Sequence, residues 1–139
     1  MSKETKSATT GAHHVGLTVR DLEESTRFFV DVLGYEKVGE VPDYPAAFVT
    51  DGNLMIALWQ AADPDNAVAF DRKNVIGLHH LALAVENETA LDGLYDRLKG
   101  ADNVDIEFAP EPLSGVPARH MMCNIPGGGI RVEFIAMTA

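Results

Sequence analysis

The chain contains two copies of one pattern, and this duplication limits its possible folds more than any other feature. Residues 13–38 (HHVGLTVRDLEESTRFFVDVLGYEKV) overlay residues 79–104 (HHLALAVENETALDGLYDRLKGADNV) at a constant offset of 66 positions, His13 falling on His79. His14 meets His80, Leu17 meets Leu83, Val19 meets Val85, Gly34 meets Gly100 and Val38 meets Val104. A register kept through a strand-like stretch, a helix-like stretch and a closing glycine marks a repeated supersecondary unit.

Each copy opens with an apolar alternation of period two, the pattern of a strand with one buried face. Val15, Leu17 and Val19 share one face and leave His14, Gly16 and Thr18 on the other; Leu81, Leu83 and Val85 repeat this with His80, Ala82 and Ala84 opposite. A helix is predicted next. Asp21 is placed to cap it, with Glu24 three residues on, and Leu22, Phe28, Phe29, Val32 and Leu33 supply an apolar side. In the second copy Asn87 caps and Leu91, Leu94, Tyr95 and Leu98 form the stripe. Gly34 and Gly100 are expected to stop the two helices.

Three further strands complete each unit: 36–41, 46–50 and 53–59 around an Asp51-Gly52 turn, then 104–108, 119–125 and 130–136 around Gly127-Gly128-Gly129. The last strands superpose at an offset of 76, Ala57 on Glu133, and a Pro-rich loop at 110–117 accounts for the ten extra residues. The triple glycine lacks the following helix and lysine of a phosphate cradle. The organisation expected is a tail at 1–11, a first module at 12–60, a polar linker at 61–76 and a second module at 77–137.

Composition narrows the partners. Eleven Lys and Arg against 21 Asp and Glu leave a net charge of −10, which repels nucleic acid and anionic membranes. No apolar run approaches the ~20 residues that span a bilayer, and the first dozen residues lack the apolar stretch of a signal peptide. A single cysteine, Cys123, excludes an intrachain disulfide and any multi-cysteine metal site, and reads as a small buried hydrophobe. A soluble, cytoplasmic protein acting on a small molecule is the expectation.

Side-chain parity selects the chemistry. His14 and His80 lie on the small-residue faces of their strands, away from the aliphatic faces that must meet the helices. Glu133 sits between Val132 and Phe134, a carboxylate in a strand whose opposite face is core. If the two halves curve toward each other, His14, His80 and Glu133 share one concave surface. Two imidazoles and a carboxylate suit Fe, Mn, Ni, Co or Zn as divalent ions and leave open positions for a substrate. The centre would carry a charge of about +1 and favour an anion that binds through two oxygens. Glu133 and His120 are the candidate acid-base groups, although His120 has no counterpart in the first unit and reads equally as a surface histidine. Phe48, Met55, Trp59, Met122 and Arg131 are the candidate substrate contacts, Arg131 through a substrate anion or through Glu133, with an exposed edge charge as its other reading. His13 and His79 read as strand-start residues or as hydrogen-bond partners of the ligands.

HHVGLTVRDLEESTRFFVDVLG, HHLALAVEN and GGGIRVEFI together resemble the vicinal oxygen chelate superfamily, which includes glyoxalase I, extradiol dioxygenases, fosfomycin-resistance proteins, methylmalonyl-CoA epimerase and bleomycin-resistance proteins. The resemblance covers about residues 12–137. It implies an α+β fold of two tandem βαβββ modules, forming a cupped mixed sheet with helices outside and a metal within. It assigns the ligand positions to His14, His80 and Glu133, and it implies a homodimer. Ala57 stands where glyoxalase I and the epimerase carry a fourth ligand. The resemblance therefore implies a three-ligand enzyme of lyase, isomerase or extradiol dioxygenase type. The alternative is a non-catalytic sequestering protein of the bleomycin-resistance kind.

Overall fold

A computed structural model describes residues 7–138; the first part of the expected tail lies outside the described residues. Eight strands form two four-stranded sheets with the same topology. The first contains β1 (His14–Val19), β2 (Glu36–Val41), β3 (Ala46–Thr50) and β4 (Met55–Gln60), in the order β1-β4-β3-β2. The second contains β5 (Leu81–Ala84), β6 (Asp105–Pro112), β7 (Ala118–Asn124) and β8 (Arg131–Met137), in the order β5-β8-β7-β6. In each sheet the opening strand runs parallel to the last, because a helical crossover joins it to the rest, and the other pairs are antiparallel. The duplicated βαβββ unit and the α+β class expected from the sequence are the ones observed.

The crossovers are α1 (Leu22–Arg27), which continues into a π-turn over Phe28–Val32, and α2 (Glu88–Lys99). Both predicted caps are present. Asp21 Oδ1 accepts from Glu24 N at 3.1 Å and Asn87 Oδ1 from Ala90 N at 2.8 Å, contacts worth about 1 kcal/mol each. The stops differ. Gly34 adopts φ +80°, whereas Gly100 stays right-handed at φ −91° and the left-handed residue is Asn103 at φ +61°. Two further hydrogen-bonded turns, through Gly100 N and Ala101 N, separate that residue from the helix end.

The proline loop also needs correction. Pro110 and Pro112 belong to β6, which runs to Pro112. Proline cannot donate to a ladder, but β6 is the edge of its sheet and its pairing with β7 shifts register twice, so the missing donors cost little. The connection between modules holds one 3₁₀ turn, Pro64–Asn66, and is not purely polar: Val68 and Ile76 are fully or nearly fully exposed.

One hydrophobic core serves both modules. Leu17, Val19, Phe29, Ile56 and Leu58 from the first join Leu83, Leu91, Met121, Val132 and Phe134 from the second. Apart from Phe29 and Leu91, which come from the helical crossovers, these are the helix-facing residues of the sheets. The turn before β8 locks the halves together: Asp21 N donates to Gly127 O at 2.8 Å, and the buried Ser25 hydroxyl donates to Pro126 O at 2.9 Å. A Cβ on Gly127 would lie 2.4 Å from Ser25 Oγ, and Gly128 packs on Val19. The triple glycine is thus a clamp between modules. Because the core takes the helix-facing sides, His14, Gly16, Thr18, Ala82 and Ala84 are left exposed.

Candidate metal centre

Strand register makes corresponding positions of the two sheets equivalent. Gly16 pairs with Ala57 and Ala82 with Glu133, so Ala57 and Glu133 are equivalent, as the offset of 76 requires. In the second sheet Val132 and Phe134 enter the core, which turns Arg131, Glu133 and Ile135 to the other face. Glu133 is 8% exposed. Its Oε1 is 3.0 Å from His80 Nε2, just ahead of β5, and its Oε2 is 2.6 Å from His120 Nδ1 on β7. Met122 lies directly opposite Glu133, and His120 occupies the diagonal position two residues away, held against the Phe108 ring at 4.9 Å between centroids. A carboxylate only accepts hydrogen bonds, so each facing nitrogen must bring a proton or share a cation with it.

His13 and His79 act as the partners the sequence suggested. His13 Nδ1 is 2.8 Å from His14 Nδ1, and His79 Nδ1 is 2.8 Å from His80 Nδ1, with the rings edge-on in both pairs. The environments then diverge. Arg131, 6% exposed, grips Glu107 through Nε at 3.0 Å and Nη2 at 2.6 Å, and its Nη1 reaches His79 Nδ1 at 3.3 Å. The hydrogen bonds from Arg131 hold the Glu107 carboxyl below the usual range and raise the guanidinium in turn. Arg131 is thus bonded to Glu107 and His79, not to Glu133, and its charge is matched by Glu107. Glu107 was missed in the sequence because the β6–β7 register shifts conceal which face it occupies.

The corresponding face of the first sheet is apolar. Met55, Ala57 and Trp59 from β4 lie beside Phe48 from β3, and Trp59 packs on Phe48 (6.1 Å) and on Tyr44 (4.7 Å). Tyr44, in the turn between β2 and β3, is 65% exposed and had no periodicity to mark it. Met122 is buried beside Glu133. Cys123 points into the core, where burial pushes its thiol up to about 12.

His80, His120 and Glu133 are thus brought together, and His14 is not brought to them. Among the described residues His14 bonds only His13, and no three His, Cys, Asp or Glu side chains form a group able to hold a metal ion. The donor types at Glu133 and His80 suit a divalent transition ion, but within one chain their number falls short by one ligand.

The model of the Glyoxalase/Bleomycin resistance protein/Dioxygenase superfamily matches residues 11–134. The chain belongs to this superfamily. Among curated members, the mitochondrial methylmalonyl-CoA epimerase of Bos taurus is 37% identical over 82 residues, covering 54% of this chain and 46% of the epimerase. Catechol-2,3-dioxygenase of Bacillus subtilis (strain 168) is 27% identical over 111 residues, 73% of this chain and 38% of that protein. The chain thus spans less than half the length of these relatives. Of solved superfamily structures, a glyoxylase/bleomycin resistance protein/dioxygenase domain from Frankia sp. EAN1pec superposes with TM-score 0.77 at 27% identity, covering 94% of this chain and 99% of that one. A fosfomycin resistance protein from Listeria monocytogenes shares the fold with TM-score 0.70 at 20% identity, covering 94% and 95%. Superfamily membership spans epimerase, dioxygenase and lyase relatives, so it does not specify one reaction. Among the described residues no helix is long and apolar enough to cross a membrane.

Proposed function

We propose that the protein is a metal-dependent enzyme that binds a small, oxygen-rich substrate by two of its oxygens at a site made of His14, His80 and Glu133. The observation that carries this reading is the buried Glu133 carboxylate, flanked by imidazole nitrogens at 3.0 and 2.6 Å. His80 and Glu133 belong to one chain, and we assign the third ligand to His14 of a second copy. The exposed small-residue faces of β1 and β5 would then close on each other across a homodimer, which also covers Gly16, Thr18, Ala82 and Ala84.

A divalent ion held there supplies Lewis acidity toward two substrate oxygens and acidifies an adjacent proton. Glu133 lowers the net charge of the centre, and so leaves room for one anionic oxygen of the substrate. His120, bonded to Glu133 Oε2, is placed to take up or return a proton on the side of Glu133 away from His80. The Phe48 and Trp59 faces form an apolar wall that orients the rest of the substrate and excludes water. This arrangement favours proton-transfer chemistry of the lyase or isomerase type, because it supplies an imidazole acid-base group beside the carboxylate. Ring-cleaving oxygenation is the alternative within the same metal-centred reading. The protein would work in the cytoplasm.

The test is metal binding by tag-free protein after reconstitution with Fe, Mn, Ni, Co or Zn as divalent ions. Binding that is lost on replacing His80 or Glu133 supports the reading. A wild-type protein that retains none of these ions under equilibrium dialysis refutes it.

A second reading, a sequestering protein, draws on the cluster of exposed Tyr44 with the half-buried Trp59 and Phe48, together with the charge of −10. Such a surface suits a cationic aromatic ligand. It predicts quenching of Trp59 fluorescence by that ligand, unchanged when His14, His80 and Glu133 are all replaced by alanine.

A further inference from the structure

We propose that the groove between α1 and the outer part of the first sheet binds a small cationic amphiphile, an apolar chain that carries one ammonium group. Leu22 and Val30 line it from the helical side, and Val41, Pro45 and Ala47 line it from the sheet and its turn. Its volume is about 780 Å³, within the range that holds a small ligand. Ala47 pairs with Leu58, a core residue, so the groove opens on the helix side of the sheet, opposite the face of Phe48 and Trp59.

The second module shows what closes such a space. Ala47 pairs with Leu58 and Met121 with Phe134, and the 76-residue offset superposes Leu58 on Phe134, so Ala47 and Met121 are equivalent. Met121 is fully buried; the first module sets a methyl group where the second sets a thioether chain. The contrast repeats two residues earlier. Arg119 lies opposite Ala136 and straps the sheet to α2, its Nη1 3.1 Å from Asp92 and 3.8 Å from Glu88. The equivalent residue is Pro45, whose carbonyl accepts from Gln60 N at 2.9 Å, and Leu22 and Thr26 stand in place of Glu88 and Asp92. The first module lacks both the filler and the strap. Its apolar lining meets water, and an apolar ligand would remove that contact.

The rim sets the charge of the ligand. Four carboxylates, Asp21, Glu23, Asp31 and Glu40, surround the groove with two cations, Arg27 and Lys37. Arg27 is engaged with Glu23 at 2.5 Å and Lys37 with Glu40 at 2.6 Å. Among the described residues Asp21 and Asp31 are in no ion pair, and the whole chain carries −10. The groove is therefore negative; it attracts an ammonium group and repels a carboxylate.

Titration of metal-free, ¹⁵N-labelled protein with octylammonium chloride, 1-octanol and octanoate, followed by ¹H–¹⁵N correlation, tests this. Saturable shifts are expected at the amides of Leu22, Val30 and Ala47, with the Trp59 indole unmoved, and octylammonium should bind most tightly and octanoate least. Absence of saturable shifts, shifts centred on the Trp59 indole and Gly16, or equal affinities for the ammonium and the carboxylate would each overturn the proposal. Shifts at the groove that follow protein concentration without added ligand would mark a second copy seated there and would overturn it too.

Ala47→Met, which copies the filler of the second module, is expected to weaken octylammonium binding more than about 10-fold. Asp31→Lys, at an exposed position, is expected to weaken it about 5-fold and to leave 1-octanol binding unchanged. Unchanged octylammonium affinity in Asp31→Lys, or in a folded Ala47→Met protein, overturns the proposal. No metal takes part in these measurements, so their failure is separate from failure of the metal centre.

Discussion

Ala57 and Glu133 occupy the same position of the duplicated sheet, one opposite Gly16 and the other opposite Ala82, yet only Glu133 bears a carboxylate. The two halves are copies in backbone and have separated in chemistry. The second face carries His80, His120, Arg131 and Glu133, and the first carries Met55, Ala57, Trp59 and Phe48. One half presents charge and the other presents apolar surface, a division suited to a site closed between them.

Replacing Ala57 with glutamate tests that equivalence. Ala57 is 2% exposed, so the new carboxylate is expected to cost about 1–3 kcal/mol in metal-free protein. Reconstitution with Zn(II) or Co(II) should return more stability to this variant than to wild type. Thermal unfolding with and without the ion measures the difference.

Sharing of the site between chains has a stoichiometric signature. His14→Ala and Glu133→Ala homodimers should each lack tight metal binding, whereas refolding them together creates a mixed dimer with one intact site. Random pairing gives about one tight site for every four chains. Recovery of no binding in the mixture would place all three ligands in one chain.

The glycine clamp should show a graded response. Gly127→Ala adds a Cβ 2.4 Å from Ser25 Oγ and 2.6 Å from Asp21 O at φ +83°, and is expected to lose about 2 kcal/mol or more. Gly129→Ala meets nothing within 4 Å at φ +68° and is expected to lose about 1 kcal/mol, from backbone strain alone. Urea midpoints compare the two.

Acid should weaken the Glu107–Arg131 pair. Its folded carboxyl is held below the ordinary range, so its contribution is present above about pH 5 and falls away as pH drops through that range toward the folded value. Glu107→Gln should flatten the loss of stability between pH 6 and pH 3, seen in urea midpoints across that interval.

Cys123 provides a probe of unfolding. Its side chain is fully buried and its thiol is raised to about 12. A disulfide reagent at pH 8 is expected to label native protein slowly and urea-unfolded protein at once. Rapid labelling of the native state would mean that β7 opens locally.

Much of this architecture was readable in the one-dimensional pattern. Strand alternation depends on neighbours two apart, and helix caps depend on residues three apart, so the β1 and β5 faces and the Asp21 and Asn87 caps are local properties of the chain. The 66- and 76-residue offsets carried the rest of the duplication, including the match of Ala57 to Glu133. What lay beyond the pattern was every contact between distant segments. The Glu107–Arg131–His79 contacts span two register shifts and a strand crossing. The Gly127 clamp depends on which turn meets α1. The separation of His14 from Glu133 follows from the way the helix-facing sides merge into a single core. Periodicity reports which way a side chain points from its own strand; it carries no information on which surface of the folded chain that direction finally meets.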